Sequence, residues 1–93
     1  MKYKILVTGS AGFIGFHLLK KILLQGYSVY GVDNLNNSYK KKIKNERLKE
    51  IQKLSKKNKF SYHFEKLDLK NKKKVIDLFK KNNFEIVIHF AAQ

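Results

Sequence analysis

The chain has 93 residues, no cysteine, no proline and a formal charge of +14. Without cysteine, disulfides and thiolate metal sites are excluded and a reducing compartment is allowed. So short a chain buries only about 60–65% of its unfolded surface, so as one domain it is marginally stable unless something covers its faces. The charge is 20 lysines and Arg47 against seven acidic residues. Arginine is the preferred residue for bidentate recognition of phosphate and guanine. Lysines spread through every polar stretch describe a solvated surface, so no specific nucleic-acid partner is expected, only weak, salt-sensitive adhesion.

Met1-Lys-Tyr-Lys4 runs straight into the apolar stretch Ile5-Leu6-Val7, a start with no room for a signal peptide, and no apolar run approaches the eighteen or more residues of a membrane span. The expectation is a soluble, cytoplasmic protein without a membrane partner. Ile5–Val7 reads as a strand buried on both faces. It ends in three glycines, Gly9, Gly12 and Gly15, which open a helical pattern in which Ile14, Leu18 and Ile22 recur at intervals of four, with Leu19 and Leu23 beside them. Gly9 takes a tight turn, Gly12 lets a diphosphate approach the backbone, and Gly15 lets the helix pack against the strand. The free N–H groups and positive dipole of the helix start favour an anion. Gln25-Gly26 stops the helix.

A second strand covers about Tyr27–Val32 and delivers Asp33 eighteen residues beyond Gly15, with Asn34 next to it. That spacing suits an acid at a strand tip accepting hydrogen bonds from a ribose diol. A glycine triplet alone is a weak signal; strand, triplet, helix and acid together point to dinucleotide binding. The charge of Asp33 favours NAD over NADP, because it repels a 2′-phosphate.

Asn34–Ser38 is polar and loop-like. Asn37 or Ser38 caps a helix running to about Lys57, with Ile43, Leu48, Ile51 and Leu54 as a narrow apolar stripe. Phe60–Glu65 alternates and reads as strand three, with Phe60, Tyr62 and Phe64 on one side and His63 on the other. After Leu67-Asp-Leu69, Asn71 caps a helix to about Lys81 with Val75, Ile76, Leu78 and Phe79 inward. Phe84–Phe90 is strand four, apolar enough to be central in a parallel sheet. Right-handed crossovers then give an α/β fold: residues 1–93 as the N-terminal half of a Rossmann fold, a parallel sheet in the order 3-2-1-4. Gly9–Gly12, Asp33, Asp68 and Ala91-Ala92 all fall at the carboxyl ends of strands, where ligands bind in such sheets.

Thr8-Gly-Ser-Ala-Gly-Phe-Ile-Gly15 resembles the glycine motif of extended short-chain dehydrogenases/reductases, the NAD-dependent nucleotide-sugar epimerases and dehydratases. Asp33-Asn-Leu-Asn36 and His89-Phe-Ala-Ala-Gln93 are similar to the same family, and Gly15-Phe-His-Leu18 with Asp33–Asn36 and Arg47-Leu48 is most similar to UDP-glucuronate 4-epimerases. The resemblance covers the whole chain but only about the first third of such an enzyme. It implies NAD held by Gly9, Gly12, Phe13, Ile14, Gly15, Asp33 and Asn34, with Asp68 and Leu69 at the adenine edge and Phe90, Ala91 and Ala92 along the cofactor's path. It also implies a homodimer, and a UDP-sugar substrate only in a full-length enzyme, whose catalytic tyrosine and lysine lie four apart on a later helix. UDP-glucose 4-epimerase and sugar-nucleotide dehydratase are alternatives within the family. Tyr62–Lys66 has the right spacing, but one such pair is expected by chance and it sits in a strand pattern, so this chain carries no catalytic residue and no metal ligand. The alternative from another class is a non-catalytic nucleotide-binding or lysine-rich interaction module.

Overall fold

A computed structural model describes residues 3–35 and 41–90. Along the chain run β1 (Lys4–Thr8), α1 (Phe13–Leu24), β2 (Ser28–Asp33), α2 (Lys41–Asn58), β3 (Tyr62–Lys66), α3 (Lys72–Lys81) and β4 (Ile86–His89). The strands form one parallel sheet in the order β3-β2-β1-β4. This is the α/β half-fold that alternating strand and helix patterns dictate. The proposed caps at Asn37 and Ser38 lie outside the described residues.

β1 is buried because both faces of the sheet are covered beside it. Ile5 and Val7 join Val29, Phe16, Leu19, Ile22, Leu23 and Ile51 under α1 and α2. Leu6, from the opposite pleat, joins Val32, Leu67 and Leu78 under α3. Each fully buried side chain of this size contributes about 1.5–3 kcal/mol. α1 ends at Gly26, whose φ of 90° lets its N–H bond the Leu23 carbonyl at 2.9 Å. Asn71 caps α3 by accepting from the Lys74 N–H at 3.2 Å. On β2, Tyr30 donates to Glu65 Oε1 at 2.8 Å. Burial first, then that bond and the Glu65 charge, push its phenol up to about 12.

Some inward assignments fail. The buried face of α1 is Gly15, Phe16, Leu19, Ile22 and Leu23, and Ile14 is 63% exposed. Phe16 faces the sheet, and Ile14, two residues earlier and about 200° around the helix, faces away. In α3 only Leu78 is buried; Ile76 and Phe79 are exposed, and Phe79 meets Phe84 edge-on at 5.5 Å. Among the described elements α3 is the one helix on its face of the sheet, and a ten-residue helix there buries a single narrow stripe. Ile43 in α2 is exposed too, so that stripe begins at Leu48.

β4 is shorter than its apolar run and lies at the sheet edge, pairing with β1 alone among the described residues. Ile86 and Val87 are exposed there, Val87 by 49%. Among the described residues no helix is long and apolar enough to cross a membrane. An apolar strand edge offers its N–H and C=O groups to other chains. At 0.15 M salt, where screening shortens charge repulsion to about 8 Å, the purified chain should self-associate. Val87→Lys should lower the weight-average mass measured by sedimentation; an unchanged mass would place the contact elsewhere.

Candidate functional site

The site is built at the carboxyl ends of β1 and β2. Gly9 turns the chain with a φ of 67°, a conformation costly for any residue with a side chain. The Ser10 N–H then bonds the Val32 carbonyl at 3.1 Å, the Ala11 N–H bonds Asp33 Oδ2 at 3.1 Å and the Gly12 N–H returns to the Gly9 carbonyl at 3.0 Å. The turn satisfies its own donors by leaning on β2. Gly15 is needed for a closer approach than strand packing: a Cβ there would lie 2.2 Å from the Gly9 carbonyl oxygen.

These bonds leave the start of α1 open. Gly12, its N-cap, has no side chain to bond back, and the first turn carries no acid. The N–H groups of Phe13, Ile14 and Gly15 therefore remain for an anion, backed by the positive end of the helix. Phe13 and Ile14 belong to the site through their backbone, since their side chains are exposed, 67% and 63%. Such a cradle fits a diphosphate.

Asp33 is buried at the tip of β2. Besides Ala11, it accepts the Leu35 N–H at 2.8 Å and Lys44 Nζ at 3.1 Å, both on Oδ1. Leu35 has a φ of 55°, a conformation costing roughly 1–2 kcal/mol outside glycine and held here by its bond to Asp33. Asn34 lies between them, half-buried.

Three residues of this site were not expected. Gly31 in β2 is one: a Cβ there would lie 2.8 Å from Ser10 Oγ, so its missing side chain makes room for the turn. A glycine inside a strand pattern is the signal for such an approach. The other two, Lys44 and Arg47, stand on α2, one turn apart. Arg47 Nη1 donates to the Ala11 carbonyl at 2.9 Å, and its guanidinium lies 5.8 Å from the Phe13 ring centre and 5.9 Å from that of Phe16. Among so many lysines, Arg47 stands out as the one arginine and through the Arg47-Leu48 resemblance, but neither signal points to the glycine turn.

The remaining expected residues are placed less closely. Asp68 is exposed and accepts the Lys70 N–H at 2.9 Å, closing its own turn. Leu69 packs at the edge of the α3-side core. Phe90 follows β4, its N–H bonding Thr8 Oγ1 at 2.9 Å, while Thr8 Oγ1 also lies 2.7 Å from His89 Nδ1. These bonds bring Phe90 to the end of β1. Ala91 and Ala92 lie outside the described residues.

Tyr62 and Lys66 occupy opposite ends of β3, about 13 Å apart along an extended strand. The Tyr62 hydroxyl is buried without a hydrogen-bond partner, and burial pushes its pKa up, the wrong direction for a base. Among the described residues no three His, Cys, Asp or Glu gather as a metal site would require.

The closeness of Gly15 to Gly9 makes a direct prediction. Gly15→Ala must move α1 off the turn, costing roughly 1–3 kcal/mol of stability as overpacking does. Ala at Gly26, where φ alone is strained, should cost less. Urea unfolding of both variants checks the order.

The model of the family described as GDP-mannose 4,6 dehydratase matches residues 6–93. Protein CapI of Staphylococcus aureus is 42% identical over 90 residues, which are 97% of this chain and 25% of that protein. UDP-glucose 4-epimerase from the hyperthermophile Thermotoga maritima, solved with UDP-glucose, superposes with a TM-score of 0.74 at 33% identity, over 97% of this chain and 24% of that one. dTDP-glucose 4,6-dehydratase from Bacillus anthracis, solved with NAD, gives 0.77 at 28% identity, over 98% and 27%. The chain thus spans about a quarter of the length of the relatives it matches. The two solved structures are named a UDP-glucose 4-epimerase and a dTDP-glucose 4,6-dehydratase, and these names do not single out the UDP-glucuronate 4-epimerases. The family match reaches from the first strand through the last, and this chain belongs to that family of nucleotide-sugar epimerases and dehydratases.

Proposed function

We propose that this chain is the NAD-binding part of a nucleotide-sugar epimerase. The observation that carries the reading is the pairing of an uncapped α1 start with a buried Asp33 bonded to the intervening turn at Ala11. In this reading the N–H groups of Phe13, Ile14 and Gly15 hold the diphosphate across Gly9 and Gly12. Asp33 accepts the hydroxyls of the adenosine ribose, with Asn34 beside it. Asp68 and Leu69 border the adenine, and Phe90, Ala91 and Ala92 border the path towards the nicotinamide. Bound NAD supplies hydride acceptance from a sugar carbon and hydride return. The residues of this chain bind and orient; none of them moves a proton in the reaction.

A UDP-sugar reacting at C4 is the proposed substrate of the whole enzyme, and Gly15-Phe-His-Leu18 with Arg47-Leu48 favours UDP-glucuronate. UDP-glucose remains the second reading, supported by the name of the Thermotoga maritima relative. Among the described residues nothing covers the apolar side of α1, where Phe13, Ile14, His17, Leu18 and Lys21 line a shallow groove, or the outer edge of β4, and both support a role inside a larger unit.

Calorimetry with NAD tests the binding reading. Asp33→Ala should weaken NAD by roughly 1.5–3 kcal/mol, the range for hydrogen bonds to a charged group. Equal affinity in variant and parent would make Asp33 a strand-end residue only. A separate incubation of the 93-residue chain with NAD and UDP-glucuronate should leave the sugar unchanged. Turnover to UDP-galacturonate, followed by chromatography, would restore Tyr62 and Lys66 as candidates.

A further inference from the structure

The sequence gives Asp33 a simple part: a lone negative charge at the ribose edge that repels a 2′-phosphate. Its surroundings differ. Asp33 Oδ1 already accepts two donors, Leu35 N–H at 2.8 Å and Lys44 Nζ at 3.1 Å, and Oδ2 accepts one, Ala11 N–H at 3.1 Å. A carboxylate offers about four acceptor positions, so one is left. A ribose diol that donates twice needs two.

One of the three donors has to yield. The Ala11 N–H is fixed by the glycine turn, and the Leu35 N–H is fixed by the backbone that follows β2. Lys44 is different: its ammonium is held at the end of four rotatable bonds, on the fourth residue of α2. The Lys44 side chain is 15% exposed and that of Asp33 3%, so the lysine stands between the carboxylate and solvent. Displaced from Oδ1, the ammonium stays anchored to α2, beside the position a ribose would take.

Charge follows geometry. Lys44 cancels Asp33, and Arg47, one turn further on α2, lies on the Ala11 carbonyl with no carboxylate among its described contacts. The ribose edge is therefore positive, where Asp33 alone would have made it negative.

We propose that Lys44 is a specificity-determining residue for the nucleotide: it occupies Asp33 in the free chain and, once displaced, offsets the rejection of a 2′-phosphate. This rests on the reading of Asp33 as the ribose acceptor. The ligand class is an adenosine nucleotide with or without a 2′-phosphate, and the site discriminates weakly between the two.

The test uses 5′-AMP and adenosine 2′,5′-bisphosphate, which differ only at the 2′ position, titrated into the 93-residue chain at constant ionic strength. In the parent the two dissociation constants should lie within about tenfold of each other. Lys44→Met should raise the constant for the bisphosphate by about tenfold, as loss of a partly exposed charged partner does. The constant for 5′-AMP should stay level or fall, because the ribose no longer competes with a lysine. Lys44→Arg should restore the parent ratio. Lys49→Met removes the same charge from an exposed position on α2 and should leave the ratio alone.

An unchanged ratio in Lys44→Met, with 5′-AMP still bound, overturns the proposal and leaves the ribose reading intact. An equal shift in Lys49→Met also overturns it, since net charge would then be the cause. Failure of 5′-AMP to bind the parent, or to respond to Asp33→Ala, overturns the ribose reading and the role of Lys44 with it.

Discussion

The carbonyl of Gly9 and the Cα of Gly15 approach so closely that a methyl group at position 15 would meet the oxygen at 2.2 Å. Because α1 comes that near, its first turn sits against the turn that leaves β1, with the open N–H groups of the helix start beside it. The turn can accept the helix there only because its own donors are satisfied on β2, through Val32 and Asp33. Asp33 thus holds the cradle in shape as well as lining it. The same carboxylate fixes Leu35 in its left-handed conformation, so one buried group ties together the end of β2, the glycine turn and the segment leading to α2.

Most charge on this chain is solvated and does little. Lys20 and Glu50 pair at 2.7 Å, but both are exposed, and such pairs contribute at most about 1 kcal/mol. Lys44 and Arg47 are exceptions because of what they face. Each reaches from α2 across to the carboxyl ends of β1 and β2, where partial burial limits competition from water. Arg47 combines a hydrogen bond to backbone with two ring faces, a geometry that a lysine could not reproduce. The polar side of α2 therefore faces solvent along most of its length and, over a single helical turn, bonds the glycine turn and the carboxylate that holds it.

The sequence conveys periodicity well and direction less well. The apolar run Ile5–Val7, the strand-to-helix turn at the three glycines, the position of Asp33 at a strand tip and the cap at Asn71 were all legible, because each is a local pattern with a local cause. The strand order followed from the handedness of crossovers. Ile14, Ile76 and Phe79 were misplaced because apolar character marks a residue as able to be buried, while burial depends on whether an element is packed over it. Gly31 and Lys44 went unread for the opposite reason: their roles exist only through contacts 21 and 11 positions away, with Ser10 and Asp33. The turn at Asp68 shows the same limit, since a carboxylate that closes its own loop looks in sequence like one that waits for a ligand.

The register of β4 has a consequence for the order in which the chain assembles. β1 meets β2 with Lys4 opposite Ser28, a short excursion through one helix. β1 meets β4 only after the chain has travelled from Lys4 to Glu85, 81 residues apart. Closing the longer loop costs roughly 1 kcal/mol more entropy. During synthesis the first two strands and α1 can therefore dock while the rest is still being made, and the glycine turn can take shape before β4 exists. Of the four described strands β4 arrives after the others, on a template already set, and its outer side is an edge on which the sheet can grow.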